Sequence, residues 1–169
     1  TNNLLNALAI EGGLGSRNIF IGPELSGGSG NDFTTIQNCK IGHRIDSIGI
    51  PSYGIFADGS SGMQTNDVII QNNDFVGCRD AIEVRANNGY WLITQNNIYG
   101  DGINVFNGGI TVLNCGVLDF NVTNNYLGGT APGTGGLPML ISDNSFVGID
   151  VENAEPTGRI KVNNNKIAN

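Results

Sequence analysis

Val68–Val84 reads VIIQNNDFVGCRDAIEV, and Leu92–Val105 reads LITQNNIYGDGINV. Both segments run from a short apolar stretch through a paired Asn to an aromatic residue, a Gly-containing turn and a second short alternating stretch. Aligning the aromatics sets Ile70, Asn73 and Phe75 against Thr94, Asn97 and Tyr99, an offset of 24 residues. Short strands and turns recurring at such a period, without helical spacing, imply stacked coils rather than a layered globule.

Working outward, FTTIQNCKI (Phe33–Ile41) brings Ile36, Cys39 and Ile41 into the same register. Towards the C-terminus two registers compete. ITVLNCGVL fits through Cys115 and FNVTNNYL fits through Asn125, but the ten residues between them are too few for a coil of three strands. Placing Cys115 in the stack gives a ladder of Cys39, Asn73, Asn97, Cys115, Asn144 and Asn165. Asn suits such a column because it tolerates left-handed backbone and its amide can bond to the coils on either side. The remaining segments read as excursions: Pro23–Asp32, Gly42–Tyr53 (which holds the only His) and the Gly-rich run after Asn125. Residues 1–16 read as an irregular coil or a helical cap.

The pattern resembles the right-handed parallel β-helix repeats of the pectate-lyase-like superfamily: pectate lyases, polygalacturonases and bacteriophage tailspikes. It is most similar to a tailspike or polysaccharide-depolymerase segment. The expected fold is therefore all-β, one right-handed parallel β-helix over residues 1–169. It should have six or seven coils and be roughly 30 Å long at about 4.8 Å per coil.

Bulk composition is compatible with that fold. Of 169 residues 26 are Gly, 39% are hydrophobic and only 14% are charged. The net charge is −7 with no basic run, which argues against nucleic acid and anionic membranes as partners. No apolar stretch is long enough to span a bilayer as a helix. Cys39, Cys78 and Cys115 have no metal-site spacing. Cys39 and Cys115, three coils apart in this register, would be about 14 Å from each other, too far for a disulfide. Cys39 and Cys115 both read as small buried thiols, and no cofactor is expected. Without an initiator Met or signal peptide, the chain reads as a mature product or a piece of a longer polypeptide.

In the resembled families the substrate groove runs along the strands that follow the Gly turn. Here those are expected to be GIFAD, AIEVR, GINVF, DFNVT and GIDVE. Alternation would send Ile55, Ile82, Ile103, Phe120 and Ile149 inward. Phe56, Glu83, Asn104, Asn121 and Asp150 would form one outward column, and Asp58, Arg85, Phe106, Thr123 and Glu152 the next. Glycoside hydrolysis needs two carboxyl groups roughly 5–10 Å apart, one protonated and one ionised. Glu83 and Asp58, with Asp80 at the preceding turn, are the candidate catalytic residues. Arg85, Phe56, Asn104 and Phe106 are the candidate substrate contacts. Arg85 is expected to keep Asp58 ionised while Glu83 stays protonated beside Phe56. A lyase would instead need a base, for which Arg85, Lys40 and His43 are available. A plain surface ion pair is the competing account of the same residues.

The motif sets of polygalacturonases, alginate epimerases and calcium-dependent pectate lyases are not present as sets; the lone RIK at Arg159–Lys161 lies on another face. The resemblance implies binding and degradation of a bacterial or other extracellular polysaccharide, an extracellular or virion-surface location, and a homotrimer. The alternative is a non-catalytic β-helix, an adhesin or a glycan-binding stalk.

Overall fold

Three strands per turn, all parallel, account for nearly every regular element of this chain. The computed structural model describes residues 3–22, 32–44, 49–59, 65–86, 88–103, 107–115, 119–141, 146–152 and 159–168. Coil 1 comprises β1 (Asn3–Asn6), β2 (Ala9–Gly12) and β3 (Arg17–Ile21), and coil 2 comprises β4 (Thr34–Gln37), β5 (Lys40–His43) and β6 (Tyr53–Asp58). Coil 3 is β7 (Asn66–Gln71), β8 (Asp74–Val76) and β9 (Asp80–Arg85), and coil 4 is β10 (Gly89–Thr94), β11 (Asn97–Tyr99) and β12 (Gly108–Leu113). Coil 5 is β13 (Phe120–Thr123), β14 (Tyr126–Leu127) and β15 (Val147–Glu152), followed by β16 (Ile160–Asn163) and β17 (Lys166–Ile167) of coil 6. The first strands of the coils stack into sheet A, the second strands into sheet B and the third into sheet C. This is a parallel β-helix.

Alternation explains the packing. Ile36, Ile70, Ile93 and Val122 of sheet A, Ile41, Phe75, Ile98 and Leu127 of sheet B, and Ile55, Ile82 and Ile110 of sheet C are all fully buried. Among the described residues they belong to one continuous core. Trp91 and Phe120 stack in that core, their ring centroids 5.8 Å apart and their planes 7° from parallel. The N-terminal segment is a regular first coil of two short strands rather than a helical cap, with Leu5 and Ile10 packed on the core.

The paired Asn divides its work between two residues. The first of the pair takes left-handed backbone at the corner and faces solvent: Asn38, Asn72, Gln95, Asn124 and Asn164 have φ between 53° and 58°. The second points into the corner and bonds along the axis. Asn73 Oδ1 accepts from the Cys39 N–H at 2.9 Å, and Asn125 Oδ1 accepts from both the backbone and the side chain of Asn96 at 3.1 and 3.0 Å. Asn165 closes the series by accepting both donors of Asn125 at 2.9 and 3.0 Å.

The ladder among the described residues is therefore Cys39, Asn73, Asn96, Asn125 and Asn165, which corrects the register expected from sequence at two positions. Asn97 yields to Asn96, because Ile70 pairs with Ile93 and Phe75 with Ile98. Inward alternation, not aromaticity, sets the register, and Tyr99 lies on the outer side. Cys115 yields to Asn125: it is buried at the corner after β12, while FNVT pairs with β10 as a strand of sheet A. Asn144 lies outside the described residues.

Candidate functional site

Sheet C carries most of the residues that sequence singled out. Its strands are β3, β6, β9, β12 and β15, so GGITVL takes the place expected for GINVF, and DFNVT belongs to sheet A. The reason lies in the connections. The Asn ladder advances by 23 residues between coils 3 and 4, while Asp80 pairs with Gly108, 28 residues on. Five extra residues thus enter the corner after β11, and Ile103, expected inside, is 77% exposed there. Asn104 and Phe106 lie outside the described residues.

The outward column of sheet C runs Phe20, Phe56, Glu83, Thr111 and Asp150, and the next runs Asp58, Arg85, Leu113 and Glu152. Asp58 is therefore a diagonal neighbour of Glu83, a relationship that sets α-carbons about 7–8 Å apart. Phe56 is only 4% exposed. The Arg17 guanidinium lies 4.3 Å from its ring centroid and that of Arg85 lies 5.3 Å away, while Tyr53 leans on it at 4.9 Å. Among the described residues Phe20 is an open ring on this face, 54% exposed and stacked on Phe56 at 6.0 Å.

Charge is arranged differently from the sequence expectation. Arg85 Nε pairs with Glu83 Oε1 of its own strand, and Glu83 is 7% exposed. Asp58 sits beside Arg85 in register without an ion pair to it among the described residues. The Asp80 carboxyl is pushed above its ordinary value. Burial is the main cause, the Glu83 charge adds to it, and Arg79 partly offsets both. Gly108, in line with Asp80 on the next coil, leaves room for it: a Cβ there would come within 2.5 Å of Asp80 Oδ1.

Depressions also lie on the other sheets. A cleft of about 600 Å³ on sheet A is lined by Leu4, Phe33, Asp67, Ile69, Tyr90 and Leu92. A smaller one on sheet B is lined by Glu11, Lys40, Gly42, His43, Val76 and Asp101. In it His43 Nδ1 lies 3.1 Å from Asp101 Oδ2. The sequence offered His43 and Lys40 as bases but gave no signal for Asp101, which rides on the five-residue insertion. Among the described residues no group of three or more His, Cys, Asp or Glu side chains could hold a metal ion. No protein-family model matches this chain, and no curated protein or solved structure matches it.

Proposed function

We propose that this β-helix binds an extracellular polysaccharide along the outer face of sheet C and cleaves its glycosidic bonds there, in the manner of a phage tailspike or secreted depolymerase. The observation that carries the reading is the unequal pair formed by Asp80 and Glu83. Burial and a neighbouring charge favour the protonated form of Asp80, while Glu83 is held against a guanidinium. Acid-assisted glycoside cleavage needs a carboxyl group that keeps its proton with a second carboxyl group close by. Asp80 is the proton donor in this scheme, and Glu83 or its diagonal neighbour Asp58 faces the sugar as the ionised partner. Phe20 offers the exposed ring on which a pyranose face packs.

A second reading, glycan binding without cleavage, is favoured by the Arg85–Glu83 pair and by the covering of Phe56, both of which occupy groups a substrate would use. Incubation with a panel of bacterial polysaccharides separates the two, with reducing ends and unsaturated products as readouts. Cleavage should fall about 10²–10⁴-fold in Asp80→Asn, with little change in affinity. Binding without turnover in the parent protein would favour the second reading, and absence of both would sink the proposal. The same reading expects three chains side by side at a cell or virion surface, for which the molar mass from light scattering is the check.

A further inference from the structure

The cleft on sheet B is independent of the sheet C face and contains the only imidazole of the chain. Gly12, His43 and Gly77 stand close to one line across coils 1 to 3. Asp101 belongs to coil 4, so its carboxylate spans roughly 10 Å of stacking to meet a residue of coil 2. It does so over Gly77, whose missing side chain makes the gap: a Cβ there would lie 2.7 Å from both His43 Nδ1 and Asp101 Oδ2. The other oxygen of Asp101 accepts the Ile103 N–H at 2.9 Å. Both carboxylate oxygens are therefore committed, and the carboxylate is aimed.

An ionised carboxylate can only accept, so the imidazole proton belongs on Nδ1 and Nε2 is left as the acceptor. His43 lines a depression of about 210 Å³ together with Lys40 and Glu11. Neither Lys40 nor Glu11 makes an ion pair among the described residues. The depression thus brings together an oriented proton acceptor, an ammonium group and a rim carboxylate, with Val76 as an apolar wall.

We propose that this cleft is a second ligand site, which takes a small molecule bearing a carboxylate or phosphate and exchanges a proton with it through His43. Lys40 pairs with the anionic group. His43 Nε2 takes a proton from a hydroxyl of the ligand, the electron pair of that bond stays on the ligand oxygen, and the resulting imidazolium is held by Asp101. Return of the proton restores both partners. Glu11, on the neighbouring strand, opposes the anion and limits its affinity.

A single histidine makes the test direct. Its ring nitrogens and carbon-bound protons are followed by NMR in the full chain during titration with sodium acetate or inorganic phosphate, with methyl glucoside as a neutral control. The free protein should show the tautomer protonated at Nδ1. At least one of the two anions should shift the ring signals saturably, and methyl glucoside should not. Lys40→Met should weaken the response about tenfold, the loss of one charge-assisted hydrogen bond. Glu11→Gln should strengthen it, and Asp80→Asn should leave it unchanged, which separates this site from the sheet C reading. A proton on Nε2 in the free protein, silence towards both anions, or an undiminished response in Lys40→Met would each overturn the proposal.

Discussion

Asn96 Oδ1 accepts two hydrogen bonds from Asn73, one from its backbone N–H and one from its side-chain amide, each 3.0 Å long. The Asn96 amide nitrogen in turn donates to Ile70 O and to Asn125 Oδ1, both at 3.0 Å. All three Asn side chains are fully buried, so no water replaces a lost partner. Asn96→Leu should therefore cost roughly 3 kcal/mol or more, because it strands two donors on Asn73 and the Ile70 carbonyl. Asn72→Gly, at the exposed left-handed position one residue before the ladder, should be close to neutral. Urea midpoints of the two variants measure the contrast; equal losses would mean that the buried amides contribute no more than the corner.

The Gly77 gap predicts a second contrast. Gly77 and Gly102 both have left-handed backbone, with φ of 62° and 77°, so alanine at either position incurs about 1–2 kcal/mol of backbone strain. Only Gly77→Ala also collides with His43 and Asp101. It should lower the thermal midpoint clearly more than Gly102→Ala does, which has nothing within 4 Å of the added carbon. Similar melting of the two variants would mean that the side chains move aside freely.

How much of this was legible in the sequence depends on which contacts each signal reports. Apolar alternation at Ile70 and Ile93 reports burial directly, and it carries the fold. The aromatics misled, because Phe75 faces the core while Tyr99, held near Asp74, faces outward, its hydroxyl pushed up to about 12 by burial and that carboxylate. Sheet C failed at coil 4 for a different reason. GINVF and GGITVL both alternate, and only the pairing of Gly108 with Asp80 decides between them. The approach of Asp101 to His43 left no trace in the sequence, since it spans 58 residues and depends on a glycine that contributes no chemistry of its own.

The cysteines yield a chemical prediction. All three are free and buried. Burial pushes the Cys115 thiol up to about 12, and it pushes Cys78 up as well, aided by the charges of Asp80 and Asp101. Thiolate is the reactive form, so at pH 8 a disulfide reagent should leave Cys78 and Cys115 unlabelled in the folded protein and label both in urea. Rapid labelling of either thiol under native conditions would show that its corner of the stack opens easily.

Asp80 gives stability a definite dependence on pH. Its folded-state value is raised above the ordinary 3.8, so the folded chain holds the proton more tightly than the unfolded chain does. Linkage then fixes the sign: the contribution of this group is fully present below 3.8 and is lost as pH rises through the raised folded value. Asp80→Asn cannot ionise and should lack that loss, so it should be more stable than the parent near pH 7, with the advantage shrinking towards pH 3. Other carboxylates titrate over the same range, and the difference between the two proteins at each pH removes their shared contribution. Glu83→Gln should flatten the parent curve only in part, because burial and not the Glu83 charge is the larger cause. Denaturant midpoints from pH 3 to 8 for the three proteins are the measurement. A difference between parent and Asp80→Asn that stays constant with pH would show that Asp80 titrates like a solvated carboxylate, and would remove the proton donor on which the glycosidase reading depends.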